Sequence, residues 1–257
     1  MINIVVPMAG AGSRFAAVGE FAPKPLIEVQ PGKCMIEYVV NCLSLREPHR
    51  LIFIYLAEHD RVHGLGSKLR NLADGCELVL AERKTSGPVA TSLLAARYVD
   101  NDDELLIAYC DSFLTIDLND FLDHNRRQKA DGGLIVYPST SLFDSYAALN
   151  AKCDVLRTAE KLVISTHATA GFYYFWKGRD YIAGARAIVA NNTWETELFV
   201  CPVYNELIKQ GKRIVSYAIE RDQQIEMGTP DDLARSRKWL AESNWEFPQL
   251  RPMYDAC

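Results

Sequence analysis

The chain has 257 residues, a formal net charge of −5 at pH 7, and 49% hydrophobic against 24% charged residues. These are the proportions of a globular protein with a large core, without the basic surplus of a nucleic-acid-binding protein or an apolar run long enough to cross a membrane. The seven cysteines include no C-x-x-C pair, so neither a zinc site nor a redox pair is indicated, and we expect free thiols in a cytoplasmic protein.

The first element is an apolar run, Ile2–Met8, that leads directly into a loop of small residues. This pattern predicts a buried parallel strand, and α/β proteins bind ligands just beyond the carboxyl ends of such strands. Because glycines allow a close backbone approach, and because Arg14 and Lys24 add positive charge, we expect the loop to bind a polyphosphate. It matches neither a P-loop nor the dinucleotide fingerprint, in which Phe15 would be glycine, so an ordinary strand-to-helix turn is the alternative. The loop residues are Ala9, Gly10, Ala11, Gly12 and Ser13.

Helices and strands are predicted to alternate along the rest of the chain. Helices are predicted at 35–45, 58–72, 89–98, 117–129, 179–190, 197–209 and 230–242. Strands are predicted at 51–57, 76–81, 104–109, 132–137, 167–176 and 214–219, with short strands and turns between 138 and 164. This alternation predicts an α/β fold with a Rossmann-like, mixed and mostly parallel sheet flanked by helices.

Three of the predicted strands end in polar residues. They end at the small-residue loop before Arg14, at the segment 82–87 with the sequence ERKTSG, and at Asp111. Because the carboxyl ends of parallel strands share one edge of a sheet, we expect these residues to converge. No linker interrupts residues 1–242, which we expect to form a single domain. Residues 243–257 are too aromatic for a free tail and are expected to pack on the body or on a partner subunit of a homo-oligomer.

Seven motifs, taken in order, carry a resemblance to a known family. They are AGAGSRF at 9–15, PKPL at 23–26, ERKTSG at 82–87, Asp111, Glu160-Lys161, ATAGFYYF at 168–175 and EMGTPDDL at 226–233. The chain resembles the sugar nucleotidyltransferases, or nucleoside-diphosphate-sugar pyrophosphorylases, and most of all small bacterial members from surface-polysaccharide pathways. The resemblance implies a glycosyltransferase-A-like fold with a nucleotide-binding half at about 1–130 and an acceptor-binding half at about 131–242. It also implies that a sugar 1-phosphate attacks the α-phosphorus of a nucleoside triphosphate and that pyrophosphate leaves.

The resemblance assigns roles in the nucleotide half. The backbone of the small-residue loop would hold the phosphates, Arg14 the leaving pyrophosphate, and Lys24 the region of the α-phosphate. Asp111, in the nucleotide site, and Glu226 are expected to hold Mg²⁺, a hard ion that prefers carboxylates and phosphate oxygens. The base would be bound by three residues of the ERKTSG loop, which are Glu82, Thr85 and Gly87.

Glu82 departs from the family pattern, because several relatives carry Gln there. An ionised carboxylate only accepts hydrogen bonds. Cytosine and guanine offer amine donors, so we expect Glu82 to favour CTP or GTP over dTTP or UTP. In the acceptor half, the resemblance implies that Lys161 holds the acceptor phosphate and Glu160 a sugar hydroxyl, beside the backbone of Gly171. Two residues of a variable loop would contact the distinctive part of the acceptor, and these are Asp144 and Tyr146.

Other functions fit parts of the same pattern. A glycosyltransferase of this fold usually carries an Asp-x-Asp motif, but the sequence here is Asp111-Ser112-Phe113. A non-catalytic nucleotide-binding regulator is a second alternative, and nucleotidyl transfer to a phosphomonoester other than a sugar 1-phosphate is a third. Taken singly, Asp111 could be a turn residue, Glu160 and Lys161 a solvated pair, and Glu226 a charge near the last helix.

Overall fold

The computed structural model describes residues 1–10, 12–191, 197–243 and 245. The strands are β1 (Ile2–Met8), β2 (Glu28–Gln30), β3 (Lys33–Cys34), β4 (His49–Leu56), β5 (Glu77–Ala81), β6 (Glu104–Ala108), β7 (Ser112–Leu114), β8 (Gly132–Pro138), β9 (Ser145–Leu149), β10 (Val155–Glu160), β11 (His167–Phe175), β12 (Ile214–Ala218) and β13 (Gln224–Glu226). The helices are α1 (Ser13–Ala16), α2 (Met35–Cys42), α3 (Ala57–His63), α4 (Leu65–Leu72), α5 (Pro88–Ser92), α6 (Ala96–Val99), α7 (Leu118–Gln128), α8 (Gly178–Asn191), α9 (Val203–Lys209) and α10 (Pro230–Glu242). Short 3-10 turns lie at Lys24–Leu26, Leu93–Ala95 and Arg221–Gln223.

A nine-stranded sheet joins the two predicted halves of the chain. Its main order is β10-β9-β11-β6-β1-β4-β5, with β8 pairing to both β11 and β12. The strands β6, β1, β4 and β5 are parallel to one another. Strand β11 runs antiparallel to β6 and β8, and this makes the sheet mixed. The expected α/β fold with helices on a mixed sheet is confirmed.

Apolar side chains on both faces of the sheet pack against the helices. Along β1, Ile4 and Val6 belong to one core cluster and Val5 to another, because successive side chains of a strand point to opposite faces. The first cluster packs under α2, α4 and α7, and the second under α5, α8 and α9. Since both faces are covered, β1 is apolar at every position except the buried Asn3, rather than alternating.

Two of the predicted helices are divided into shorter elements in the structure. The helix expected over 58–72 is two helices, α3 and α4, separated by Gly64 in the left-handed conformation at φ 61°, which ends a helix readily. The helix expected over 89–98 is divided into α5, a 3-10 turn and α6.

The helix expected over 197–209 begins only at Val203. Pro202 stands at its N-cap, in agreement with the tolerance of proline at a helix start. The observed helix is therefore six residues shorter than the predicted one. The residues before it are not helical and hydrogen-bond to other segments, Leu198 to Ser86 among them. Apolar periodicity alone did not distinguish this non-helical segment from a helix.

A third apolar cluster seats α10 against the start of the chain. It includes Phe15, Phe113 and Leu233, and it holds the two-stranded ladder of β7 and β13 beside the main sheet. Most of the tail expected to pack at 243–257 lies outside the described residues. Trp245 is described, and its ring lies 6.0 Å from Tyr38 and 5.3 Å from Phe113. Within the described ranges, no helix combines the length and the apolar character needed to cross a membrane.

Candidate active site

The small-residue loop follows β1 at the carboxyl edge of the sheet. Gly12 caps α1 in the left-handed conformation at φ 62°, and its carbonyl accepts hydrogen bonds from Phe15 and Ala16. No described atom lies within 4 Å of the position that a Cβ would take at Gly10 or Gly12, so the backbone is open to a ligand. Ala9 is buried, Ser13 and Arg14 are exposed, and Ala11 lies outside the described residues.

Lys24 and Asp111 form the central ion pair of this edge. The Nζ of Lys24 lies 2.5 Å from Oδ2 of Asp111, and both side chains are largely covered. Burial by itself would lower the pKa of Lys24, but the nearby Asp111 carboxylate outweighs it and the pKa is raised. The ring of Phe15 lies 5.9 Å from the ammonium. The site therefore holds a fixed positive charge beside a carboxylate.

Asp111 is joined to the start of the EMGTPDDL motif through the backbone. Its carbonyl accepts a hydrogen bond from the N–H of Met227 at 2.8 Å, and Ser112 is paired with Glu226 in the β7–β13 ladder. A Cβ at Gly228 would lie 3.3 Å from Oδ2 of Asp111. Glycine at this position leaves space next to the carboxylate, as a ligand there would require.

The Glu160-Lys161 pair lies at the end of β10. Burial raises the pKa of Glu160, and its carboxylate accepts a hydrogen bond from the hydroxyl of Ser145. Lys161 has a left-handed backbone at φ 51°, and its N–H donates to the carbonyl of Asp144 at 3.1 Å. Its ammonium lies 4.5 Å from the ring centre of Phe199.

Gly171 brings the acceptor half next to Asp111. It lies at an irregularity of β11 with φ 78°, and its carbonyl accepts the N–H of Tyr109 at 3.2 Å. A Cβ on Gly171 would be 3.3 Å from the ring of Tyr109 and 3.5 Å from Oγ of Ser112. Because these two residues flank Cys110 and Asp111 in sequence, Gly171 lies beside the same strand end as Asp111.

The ERKTSG loop follows β5 at the same edge of the sheet. Glu82 is exposed just after Ala81, where the strand ends. The hydroxyl of Thr85 contacts that of Thr91 at 2.5 Å, and Gly87 has φ 126° and ψ 179°, a conformation that is essentially restricted to glycine.

Comparison with known proteins identifies this arrangement. Residues 4–169 match the MobA-like NTP transferase domain, which is more than half of the chain. The chain belongs to this family. It is a nucleotidyltransferase, and its resemblance to the sugar nucleotidyltransferases is confirmed. No curated protein is significantly similar to it in sequence.

Several solved structures share the fold over nearly the whole chain. The nucleoside-diphosphate-sugar pyrophosphorylase from Vibrio cholerae RC9 has a TM-score of 0.77 at 28% identity, covering 91% of this chain and 99% of that one. A protein described as a glucose-1-phosphate thymidylyltransferase from Bacillus anthracis has a TM-score of 0.73 at 18% identity, covering 96% and 98%. The inositol-1-phosphate CTP transferase from T. maritima has a TM-score of 0.68 at 16% identity, covering 92% and 96%.

The expected Mg²⁺ ligands of this nucleotidyltransferase differ in their surroundings. Asp111 fits one magnesium ligand, because Gly228 leaves space beside its carboxylate and because Mg²⁺ takes only one or two protein carboxylates besides phosphates and water. Its Oδ2 is paired with Lys24, so Lys24 would have to release this atom or Oδ1 would have to serve. The carboxylate of Glu226 is instead hydrogen-bonded to the hydroxyl of Tyr137 at 3.3 Å and to Arg221 at 3.2 Å, and burial raises its pKa. The described residues contain no group of three or more metal-binding side chains. To hold Mg²⁺, Glu226 would have to leave Arg221.

Tyr146 is placed differently from the expectation. It was expected to contact the acceptor, but its side chain is fully buried in the main core, and its hydroxyl donates to the carbonyl of Ser141 at 2.7 Å. Its position on β9 points it into the sheet packing, so it supports the loop rather than lining an open pocket. The carboxylate of Asp144, in that loop, accepts a hydrogen bond from the hydroxyl of Ser139 at 2.6 Å.

Three residues outside the motifs contact residues that the sequence predicted for the site. Tyr137 and Arg221 bind Glu226, and Phe199 contacts Lys161. None of them lies in a recognisable motif. Phe199 falls in the first part of the predicted helix 197–209, which is not helical in the structure. Only Arg221, five residues before Glu226, was close enough in sequence to be considered as its partner.

Proposed function

We propose that this nucleotidyltransferase condenses a nucleoside triphosphate with a sugar 1-phosphate, giving a nucleotide sugar and pyrophosphate. The observation that carries the proposal is the Lys24–Asp111 pair, held at 2.5 Å at the carboxyl edge of the sheet. The open small-residue loop lies at the same edge, and the carbonyl of Gly171 accepts a hydrogen bond from Tyr109, two residues before Asp111. A triphosphate on the loop and an acceptor beside Gly171 would therefore meet at this pair.

The chemistry requires alignment and positive charge more than any covalent role for the protein. An oxygen of the acceptor phosphate forms a bond to the α-phosphorus, while the bond from that phosphorus to the pyrophosphate oxygen breaks. Both reactants are anionic, so cations aimed at the reacting phosphates lower the barrier. In this proposal Lys24 turns from Asp111 to the α-phosphate, exposed Arg14 binds the leaving pyrophosphate, and Lys161 binds the acceptor phosphate.

Mg²⁺ belongs to the proposal, with Asp111 as the residue that would hold it. The ion would neutralise phosphate charge. Glu226 is a second ligand in the proposal only if its hydrogen bonds to Tyr137 and Arg221 are exchanged. Surface-polysaccharide synthesis in the cytoplasm is the setting we propose, and it rests on the family resemblance alone.

The exposed Glu82 supports a preference for CTP or GTP, since its carboxylate accepts hydrogen bonds from an amine. This leaves a second candidate function, cytidylyl transfer to a phosphomonoester other than a sugar 1-phosphate. The T. maritima protein, an inositol-1-phosphate CTP transferase, is an example of such a reaction on the same fold.

A pyrophosphate-release screen tests these proposals. CTP, GTP, dTTP and UTP are each combined with a panel of sugar 1-phosphates, inositol 1-phosphate and other phosphomonoesters. We expect release with CTP or GTP and one acceptor class, and equal turnover of all four triphosphates would refute the role of Glu82. Arg14→Ala should abolish release if Arg14 binds pyrophosphate. A protein that releases nucleoside diphosphate from a nucleotide sugar, and no pyrophosphate from any pair, would be a glycosyltransferase instead.

A further inference from the structure

Residues 197–201, which we call the bridging segment, are attached to the ERKTSG loop. The N–H of Leu198 donates to the carbonyl of Ser86 at 2.7 Å, and the carbonyl of Leu198 accepts from the N–H of Val89 at 3.0 Å. Gly87 lies so close that a Cβ on it would be 2.6 Å from the Leu198 nitrogen. These contacts fix the bridging segment relative to the ERKTSG loop, to which we assign binding of the nucleotide base.

The other end of the bridging segment is attached to the acceptor half and to the end of β6. The carbonyl of Cys201 accepts a hydrogen bond from the hydroxyl of Thr158 at 2.8 Å, two residues before Glu160. The N–H of Val200 donates to the hydroxyl of Tyr109 at 3.2 Å. The segment is therefore held by three separate parts of the site.

Phe199 lies between these attachments, and its ring contacts the ammonium of Lys161 at 4.5 Å from the ring centre. An ammonium over an aromatic face is attracted by the negative face of the ring. Lysine has a flexible four-carbon stem that by itself leaves the charge in many positions. The backbone of Lys161 is held by Asp144. Its ammonium interacts with the charge of Glu160 and with the Phe199 ring, and the ring fixes the side on which it lies.

We propose that Phe199 is a positioning residue that holds the ammonium of Lys161 where it receives the acceptor phosphate. Because Phe199 is carried by the bridging segment, the position of this ammonium is tied to the nucleotide loop. This inference rests on the proposed function, in which Lys161 binds the phosphate of the acceptor. The ring contacts the ammonium of Lys161, and its effect on the reaction is exerted through this side chain.

The test follows the Lys161 side chain directly by NMR. The full chain is labelled by reductive ¹³C-methylation of its lysines, which keeps their charge, and the Lys161 resonance is identified by its loss in Lys161→Arg. Inorganic phosphate is the probe, and its apparent Kd is measured at this resonance in the wild type, Phe199→Leu and Phe199→Tyr. Trp176→Leu is the matched control. Trp176 is a half-exposed aromatic residue that directly follows β11, at the edge of the sheet away from Tyr109.

We expect the wild-type resonance to be shifted upfield by the ring and to respond to phosphate. In Phe199→Leu the upfield shift should vanish and the Kd should rise about two- to fivefold, the range of a cation–π contact of an exposed lysine. Phe199→Tyr should restore both, and Trp176→Leu should match the wild type. Phe199→Met serves in place of Phe199→Leu if the latter does not fold.

Three contrary results are distinguishable. A Lys161 resonance that responds to phosphate equally in the wild type and Phe199→Leu would overturn the role of Phe199 and leave the proposed function standing. A wild-type Lys161 resonance that does not respond to phosphate at all would overturn the acceptor role of Lys161, and with it the inference. Failure of Phe199→Tyr to restore the Kd would also contradict a role for the ring.

Discussion

Replacing Gly87 with alanine should destabilise the protein strongly, because glycine is required there for two reasons. Its backbone at φ 126° and ψ 179° is essentially restricted to glycine, which costs another residue about 1–3 kcal/mol. The new Cβ would also lie 2.6 Å from the nitrogen and 2.7 Å from the oxygen of Leu198. These are backbone atoms that cannot rotate away, so the overlap adds about 1–3 kcal/mol.

The two contributions sum to about 2–6 kcal/mol of unfolding free energy, which for a protein of this size lowers Tm by about 5–20 °C. Gly211→Ala is the matched control, since Gly211 also has a positive φ, 77°, but no described atom within 4 Å of a Cβ. Thermal unfolding of both variants compares a positive-φ glycine whose Cβ position is occupied with one whose Cβ position is open. A loss of Tm in Gly87→Ala no larger than in Gly211→Ala would refute the argument that Leu198 requires glycine at position 87.

Two further changes test the charges of the site. Lys24→Met should lower kcat about 10²- to 10³-fold, the usual effect of removing one positioned charge from a transition state. Lys152→Met, in an exposed turn, should have no effect, and equal activity of the two variants in the pyrophosphate assay would contradict the role of Lys24. Glu160→Gln should change the pH dependence of stability, because burial raises the pKa of Glu160 above its ordinary value of 4.5. Below that value the carboxyl is protonated in both folded and unfolded states. As pH rises through the raised pKa, the wild type alone loses stability, so the Tm of Glu160→Gln minus that of the wild type should increase from about pH 4 to about pH 8. A constant difference would show that burial does not govern this group.

The sequence was sufficient to predict the elements whose pattern lies within a few consecutive residues. The apolar run of β1, the strand that precedes Asp111, and the Thr229-Pro230 start of α10 were all predicted at or near their observed positions. Side-chain burial on both sheet faces requires continuous apolar strands, and caps act within one helical turn, so both leave a visible pattern. The order of these elements was also enough to predict that the small-residue loop, the ERKTSG loop and Asp111 lie at one edge of the sheet.

The contacts between distant segments were decided only by the tertiary structure. Apolar spacing over 197–209 is also compatible with a helix throughout. In the structure the N–H of Leu198 donates to Ser86 and its carbonyl accepts from Val89, and these hydrogen bonds keep the first residues out of the helix. In the same way, Glu226 has a motif position suited to a metal ligand, but its carboxylate is bound by Tyr137 and Arg221. The sequence by itself determined the fold class and which strand ends, with the charged residues beside them, share one edge of the sheet, because periodicity and strand direction are local properties. Which partner each of those charges binds depends on side chains brought together across the chain, and such pairings leave no periodic signal in the sequence.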